Sequence, residues 1–208
     1  MADRYALVVD STNNNIKEIP AADRLVADNL LLSGTTPTLT IGDAGAEDTK
    51  IVFDGNAQDF YIGLDDSADD LVIGLGSAVG TTPAIHIDEN QVVKFDAGIQ
   101  EESTALTSGT TVALDVNLGT VFTLTLAHNL GTFNWTNPAA SGYASSFILK
   151  VKQDGTGSRT ISWPAAVDWA AGTAPTISTG ANAVDVFAFF TVDGGTIWYG
   201  FTPGIGMA

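Results

Sequence analysis

Short apolar runs separated by turn residues extend through most of the chain, and this spacing is the feature that most restricts its fold. In the first half the runs lie at residues 38–41, 50–53, 59–64, 70–75, 84–87 and 92–95. Each run has the usual length of a β-strand. The segments between them contain Gly, Asp and Asn, which tolerate the positive φ angles of tight turns. The spacing therefore predicts an all-β chain, and the scarcity of the helix formers Lys and Glu agrees with it.

Residues 99–208 alternate apolar and polar side chains more regularly. One face of a predicted strand carries Val112, Leu114 and Val116, and a face of the next carries Phe122, Leu124 and Leu126. All four tryptophans lie between Trp135 and Trp198. Regular short strands with turn signals favour an antiparallel β-sandwich of the jelly-roll kind, and we place its core within residues 147–201.

These patterns predict three regions, which are an N-terminal anchoring arm at residues 1–33, a β-hairpin domain at residues 34–98 and a β-sandwich domain at residues 99–208. Within the arm we predict a short strand at residues 5–9 and a helical turn at residues 21–26. The arm is too short to bury its own apolar side chains, so we expect it to pack on another chain. Folding back on its own domain is the alternative. The residues expected to anchor the arm are Tyr5, Leu7, Val9, Ile16, Ile19, Leu25 and Leu30.

The hairpin domain has no predicted helix that could cover its apolar strand faces. Isolated short hairpins are only marginally stable in water. Three copies of the domain wound around one axis would bury those faces jointly, and this intertwined homotrimer is the arrangement that we favour. A small monomeric sandwich is the alternative.

The formal net charge of −16 restricts the partners that the chain can have. A negative field of this size repels nucleic acids and anionic membrane surfaces, so we expect no nucleic-acid partner. No apolar run is long enough to insert in a membrane. The N-terminus lacks the basic and apolar regions of a signal peptide, which predicts synthesis in a cytoplasm. The chain contains no cysteine, so we expect oligomerisation to supply the stabilisation that disulfides would give.

Candidates for catalysis are few. His86 and His128 are the histidines of the chain, and neither lies at a recognisable spacing from a nucleophile or an acid. The glycine-rich segment at residues 74–80 places its third glycine one position too late for a dinucleotide-binding loop. The pair of carboxylates needed for glycan cleavage is defined by a distance, which a sequence does not give. We therefore expect no catalytic residues, no cofactor and no enzymatic activity.

One acidic cluster is a weak candidate for a metal site. It consists of Asp65, Asp66, Asp69 and Asp70. Ca²⁺ prefers several carboxylate and carbonyl oxygens, but the cluster does not fit the D-x-D-x-D-G loop pattern. Solvated turn carboxylates are the alternative that we favour, and the prediction is that no metal binds.

Aromatic residues beside predicted loops could contact a glycan, because binding residues concentrate in loops. The candidates are Trp163, Trp169 and Tyr143, and packing in the core is the alternative that we favour. Trp198 and Tyr199 are adjacent in one predicted strand, so their side chains point to opposite faces. We expect one of them in the core and the other at a surface or an interface.

Several segments resemble virion fibre proteins of tailed bacteriophages. Residues 1–20, MADRYALVVDSTNNNIKEIP, are similar to the start of such fibres from phages of marine and cyanobacterial hosts. The segments QDGTGSRTISWP (153–164), APTI (174–177) and DGGTIWYGF (193–201) are similar to a C-terminal β domain of tail-fibre and related appendage proteins. The hairpins at residues 50–55 and 59–65 also occur in similar form in those proteins.

The resemblance implies a homotrimer with a structural role in the virion. It implies that the N-terminal segment docks on other virion proteins, such as the capsid, the portal or tail, or the baseplate. The chain has no room for a long shaft, so we expect a short fibre or appendage that presents its β-sandwich to a host. A capsid decoration protein that clamps coat subunits is one alternative. A carbohydrate-binding module that recognises a host surface glycan is another.

Overall fold

The computed structural model describes residues 7–10, 15–18 and 29–207, and for the first two ranges only the backbone. In these two ranges β1 (Leu7–Asp10) and β2 (Asn15–Glu18) pair as an antiparallel hairpin. The strand predicted for residues 5–9 therefore forms in its described part. The helical turn predicted for residues 21–26 lies outside the described residues.

The chain divides into two compact units, Met1–Ala97 (unit 1) and Gly98–Ala208 (unit 2). Strands make up 43% of the structure and helices 3%, which confirms the all-β class. Regular helix in the described residues is limited to two short 3₁₀ turns, Val116–Leu118 and Ala170–Gly172. The separation of residues 1–33 as an arm stays a prediction.

Unit 1 contains a five-stranded antiparallel sheet in which each strand pairs with the next one in the chain. Its strands are β3 (Thr49–Phe53), β4 (Phe60–Asp65), β5 (Asp70–Leu75), β6 (Pro83–Ile87) and β7 (Val93–Phe95). The prediction of a further strand at residues 38–41 is wrong. That segment has no hydrogen-bonded neighbour among the described strands, and a strand without a partner leaves its backbone groups unpaired.

Unit 2 contains a six-stranded sheet and a two-stranded sheet. Its strands are β8 (Ser103–Leu106), β9 (Thr111–Asp115), β10 (Val121–Leu126), β11 (Thr132–Thr136), β12 (Ser145–Gln153), β13 (Val167–Trp169), β14 (Val184–Thr191) and β15 (Trp198–Met207). The larger sheet has the order β13-β15-β14-β12-β10-β8, and β9 pairs with β11 in the smaller one.

The chain of unit 2 crosses repeatedly between these two sheets. Strands β8, β10 and β12 lie parallel to one another in the larger sheet, while β9 and β11, which connect them, lie parallel in the smaller sheet. Parallel neighbours need a crossover connection, and here a strand of the opposite sheet provides it. The β-sandwich class agrees with the prediction. Antiparallel pairing is found between β12 and β14 and between β14 and β15, so the larger sheet is mixed.

The two sheets of unit 2 enclose a single core. It extends beyond the predicted residues 147–201, because β9, β10 and β11 bury side chains from Val112 to Phe133 in it. The inward-facing side chains alternate along the strands as predicted, and the fully buried ones include Leu114, Phe122, Leu124, Leu149 and Phe187. Burying one side chain of this size stabilises the fold by about 1.5–3 kcal/mol. The core buries the inward-facing apolar residues of unit 2 within one chain.

Aromatic rings fill the centre of this core. The ring of Trp135 lies 5.0 Å from Phe147, 4.6 Å from Phe189 and 5.3 Å from Trp198, each with the steep interplanar angle of an edge contact. Such pairs contribute about 0.5–1.5 kcal/mol beyond the area that they bury. Trp198 is 3% exposed and Tyr199 is 38% exposed, which confirms that the two neighbours point to opposite faces.

Candidate interaction surface

One face of the unit 1 sheet consists of large apolar side chains in register. Ile51, Ile62, Ile73 and Ile85 stand directly opposite one another across β3, β4, β5 and β6. The remaining members of this apolar face are Phe53, Phe60, Leu64, Leu71, Leu75, Ile87, Val93 and Phe95. The strict alternation of these strands places all twelve residues on the same side.

The apolar face is uncovered by the residues of unit 1 that the structure describes. Every member except Ile85 is between 37% and 56% exposed, and no charged side chain belongs to the set. Single exposed apolar residues are ordinary on protein surfaces, but a contiguous apolar surface of this extent marks an interaction site.

The opposite face of the same sheet is closed by the loop at residues 76–82. The backbone N–H of Gly80 donates to the Tyr61 hydroxyl over 3.1 Å, and the Lys50 ammonium donates to the Ser77 carbonyl. Tyr61 and Val72 are completely buried on this face. Gly74 permits this closure, since a Cβ atom at that position would lie 2.5 Å from the Tyr61 hydroxyl oxygen. Among the described residues, the loop therefore covers one face of this sheet and the apolar face stays open.

His86 joins three strands on that closed face. Its Nδ1 lies 3.0 Å from Asp70 Oδ2 and its Nε2 lies 2.7 Å from Asp96 Oδ2. These carboxylates come from the start of β5 and from the residue after β7, on either side of β6. Both ring nitrogens are occupied by structural partners, so the arrangement ties the sheet together and leaves neither nitrogen directed at a substrate.

His128 has one polar neighbour. Its Nδ1 lies 3.3 Å from Ser108 Oγ, which also accepts the backbone N–H of Ala127 over 2.9 Å. The structure brings together this serine and histidine, which the sequence does not reveal. A nucleophilic pair also needs a third group that orients the base. Among residues 29–207 no carboxylate is hydrogen bonded to His128, and the contact with Ser108 joins two separate loops at the surface.

The acidic cluster does not converge on a point. Asp70 is directed to His86, Asp65 accepts the Ser67 hydroxyl over 2.7 Å, and the Asp66 backbone N–H donates to Asp48. In the part of the chain that the structure describes, no three His, Cys, Asp or Glu side chains form a group that could hold a metal ion. The geometry therefore gives no support to the calcium alternative.

The three candidate glycan-binding aromatics lie in different environments. Trp169 is 8% exposed in the core, and Trp163 packs on that core with its ring 4.8 Å from Phe187. Packing accounts for both tryptophans. Tyr143 is 72% exposed, and it is the candidate whose ring a ligand could reach. No described contact assigns it a ligand, so its role stays a prediction.

Of the predicted anchoring residues, Leu30 is the one whose side chain the structure describes. It is 70% exposed, and the neighbouring Leu31 and Leu32 are 83% and 43% exposed. Tyr5, Ile19 and Leu25 lie outside the described residues, and for Leu7, Val9 and Ile16 only the backbone is described.

Sequence reasoning missed a second apolar surface, on the outer face of the six-stranded sheet. Phe190 and Phe201 are exposed there beside Tyr199. Alternation along β14 and β15 could have predicted that these rings face outward. Phe190, for example, lies on the side of β14 opposite to the buried Phe187 and Phe189. The register between the two strands, which brings the rings together, has no sequence signal.

No helix in the described residues is long and apolar enough to cross a membrane.

Residues 106–196 match a family described as "Putative phage tail fibre C-terminal domain". The match covers most of unit 2 and none of unit 1. A search of curated proteins gave no match, and neither did a search of solved structures. The family match confirms the resemblance to phage fibre proteins, while the similarity of residues 1–20 to the start of such fibres stays a prediction.

Proposed function

We propose that this phage tail fibre-like protein is a non-enzymatic homotrimeric appendage of the virion, docked by its N-terminal arm and presenting its β-sandwich outward. The family match supports a structural fibre protein. The observation that carries the trimer is the uncovered apolar face of unit 1, because a face of this kind needs a partner in water.

A further copy of the same chain is the partner that this face fits best. The chain carries a net charge of −16, so two copies repel one another at most of their surfaces. The apolar face carries no charged side chain, and identical copies can therefore meet there without like-charge contacts. Three sheets arranged around one axis bury all three apolar faces, which gives cooperative stability to a chain without disulfides.

The N-terminal arm docks the trimer on other virion proteins in this proposal. Leu30, Leu31 and Leu32 are exposed in the described part of the arm, and a run of exposed leucines is suited to an apolar groove on a partner. The partner would be a capsid, portal or tail, or baseplate protein. The ratio of this protein to the major coat protein in purified particles separates a fibre from a capsid decoration protein. Hundreds of copies per particle would contradict the fibre.

The experiment that tests the trimer is light scattering of the purified chain over a range of concentrations. We expect a mass of three times 21.5 kDa. Ile62→Asp places a carboxylate at the centre of the apolar face. We expect it to raise the chain concentration at which half of the protein is assembled by more than about tenfold, which corresponds to a loss of about 1.4 kcal/mol in the free energy of association. Ala68→Asp, in an exposed turn of the same sheet, is the matched control. A wild-type mass of one chain, or equal dissociation of the two variants, would contradict the proposal.

A further inference from the structure

The outer face of the six-stranded sheet of unit 2 carries a row of three stacked aromatic rings. Phe190 lies between the other two, with its ring centroid 5.1 Å from Tyr199 and 6.0 Å from Phe201 at interplanar angles of 28° and 12°. The three side chains are 36%, 38% and 53% exposed, respectively. Rings stacked on one another form a ridge that stands out from the sheet.

A hollow of about 370 Å³ lies beside this ridge. Its walls include Phe190, Phe201, Ile148 and Val121, with the carboxylate of Glu101 among its few polar groups. Ile148 is 46% exposed. The ridge and the adjoining hollow therefore form one apolar surface on this face.

The charges on this face are separated along the strands. Glu101 and Asp168 border the half that carries the rings, since Asp168 pairs with Tyr199. Lys150 and Lys152 lie on the other half, two and four residues beyond Ile148 on β12. Each lysine alternates with an inward-facing residue of that strand and so points outward. The aromatic half is acidic at its borders, and the other half is basic.

We infer that this face is a second contact between copies of the chain, in which the lysine half of one copy covers the aromatic half of the next. The two halves attract each other by charge, and a lysine ammonium above an aromatic ring adds a cation–π interaction of about 0.5–2 kcal/mol. Two unlike halves can meet either in a two-fold pair or head-to-tail, and a head-to-tail contact forms a ring when its rotation closes. We assign the head-to-tail form, because a ring of three copies is compatible with the homotrimer proposed above, on which this inference rests.

This assignment gives unit 2 its own contact between copies of the chain, separate from the apolar face of unit 1. The trimer would then be joined at the sandwich as well as at the unit 1 sheet. The outer face of the two-stranded sheet formed by β9 and β11 would remain available to solvent.

Crosslinking at single cysteines tests the inference, because the natural chain has no cysteine and gives no background. Ile148→Cys places a thiol beside the hollow, Ile62→Cys places one on the apolar face of unit 1, and Asn134→Cys places one on the outer face of β11. Each full-length variant is treated with a flexible bis-maleimide and analysed by denaturing electrophoresis. We expect crosslinked pairs of chains from Ile148→Cys and Ile62→Cys, and none from the exposed control Asn134→Cys.

The outcomes distinguish this inference from the trimer itself. Pairs from Ile62→Cys without pairs from Ile148→Cys would overturn the second contact and leave the homotrimer standing. No pairs from either variant, together with a light-scattering mass of one chain, would overturn both. Pairs from Ile148→Cys with a mass of two chains would overturn the head-to-tail ring in favour of a two-fold contact.

A charge substitution provides an independent measurement. Lys150→Glu replaces an ammonium of the basic half with a carboxylate that faces the acidic half of the next copy, and we expect it to raise the chain concentration at which half of the protein is assembled by more than about tenfold. The exposed position of Lys150 allows the sandwich itself to stay folded, which the circular dichroism of the aromatic residues checks. Ala113→Glu, on the exposed side of β9, is the control and should leave assembly unchanged. Equal assembly of the two variants would overturn the inference.

Discussion

The two units differ in where their large apolar side chains find cover. Unit 2 encloses Phe122, Phe187 and Leu149 between two sheets of the same chain, and each is fully buried. The five-stranded sheet of unit 1 exposes one face in the described residues, and its apolar side chains, such as Phe60 and Ile73, are 49% and 38% exposed. Both units alternate apolar and polar residues along their strands. The difference teaches that alternation defines a face to be covered, while the packing of a second sheet on that face decides whether the chain covers it alone.

Removal of a buried ring from unit 2 gives the largest expected effect. Phe187→Ala should lower the free energy of unfolding of unit 2 by about 3–5 kcal/mol, because the ring is fully buried and leaves a cavity. The loss should be the same at every protein concentration, since the contacts lie within one chain. Chemical denaturation followed by tryptophan fluorescence measures it, because all four tryptophans lie in unit 2.

The matched change in unit 1 is Phe60→Ala, which removes a ring that is 49% exposed in one chain. Its effect on stability should depend on protein concentration, because the ring becomes buried only when copies associate. Circular dichroism of the strands at several concentrations measures it. A loss from Phe60→Ala that is independent of concentration would break the comparison between the units.

A buried carboxylate of unit 2 gives a smaller effect. Asp185 is 2% exposed, and it accepts hydrogen bonds from the backbone N–H and the hydroxyl of Ser178, both at 2.7 Å, and from the Gly206 N–H at 2.9 Å. Asp185→Ala leaves these donors without their partner, and we expect a loss of about 1–3 kcal/mol in the free energy of unfolding. Thr125→Ala, an exposed position in the same sheet, serves as the control. Equal stability of the two variants would show that water replaces the carboxylate.

The smallest expected effect is a dependence on pH at Asp154. The Arg159 guanidinium, with two nitrogens 3.1 Å and 2.8 Å from Asp154 Oδ2, holds the pKa of this carboxyl below its ordinary value of 3.8, helped by the Gly157 N–H. A lowered pKa in the folded state adds stability above pH 3.8, and this contribution is lost as the pH falls from 3.8 through the lower value.

Asp154→Asn removes this contribution. The difference in melting temperature between wild type and Asp154→Asn should therefore be largest at neutral pH and shrink below pH 3.8. Thermal melts on both sides of that pH measure it. A difference that stays constant into acid would mean that the ion pair adds no pH-dependent stability.

Much of the fold could be predicted because strand signals are local. The alternation of Phe122, Leu124 and Leu126 predicts that they share one face of a strand, and the structure buries that face in the core of unit 2. The adjacency of Trp198 and Tyr199 likewise predicted one buried and one exposed ring. The parallel pairing of β10 with β12 could not be predicted, because alternation is the same in parallel and antiparallel strands. The missing strand at residues 38–41 shows the same limit, since a strand also needs a neighbour.

The candidate site divides in the same way. The sequence predicts that the strands of unit 1 leave apolar faces to be covered, because its residue pattern contains no helix that could cover them. The sequence does not show that Ile51, Ile62 and Ile73 stand in one row. Only the register between β3, β4 and β5 in the structure shows it. The contacts of His86 with Asp70 and Asp96 join residues far apart in the chain, and no spacing in the sequence indicates them.

The sequence by itself determined the all-β class, the alternation that fills the core of unit 2, and the resemblance to phage fibre proteins, because each depends on residues close together in the chain. The tertiary structure decided which sheet each strand joins, which face of unit 1 the loop at residues 76–82 closes, and where Phe190, Tyr199 and Phe201 meet. These features depend on pairing between distant strands. The physical reason is that strand pairing is selected by the packing of whole sheets, whereas a strand's faces are defined by its own alternating side chains.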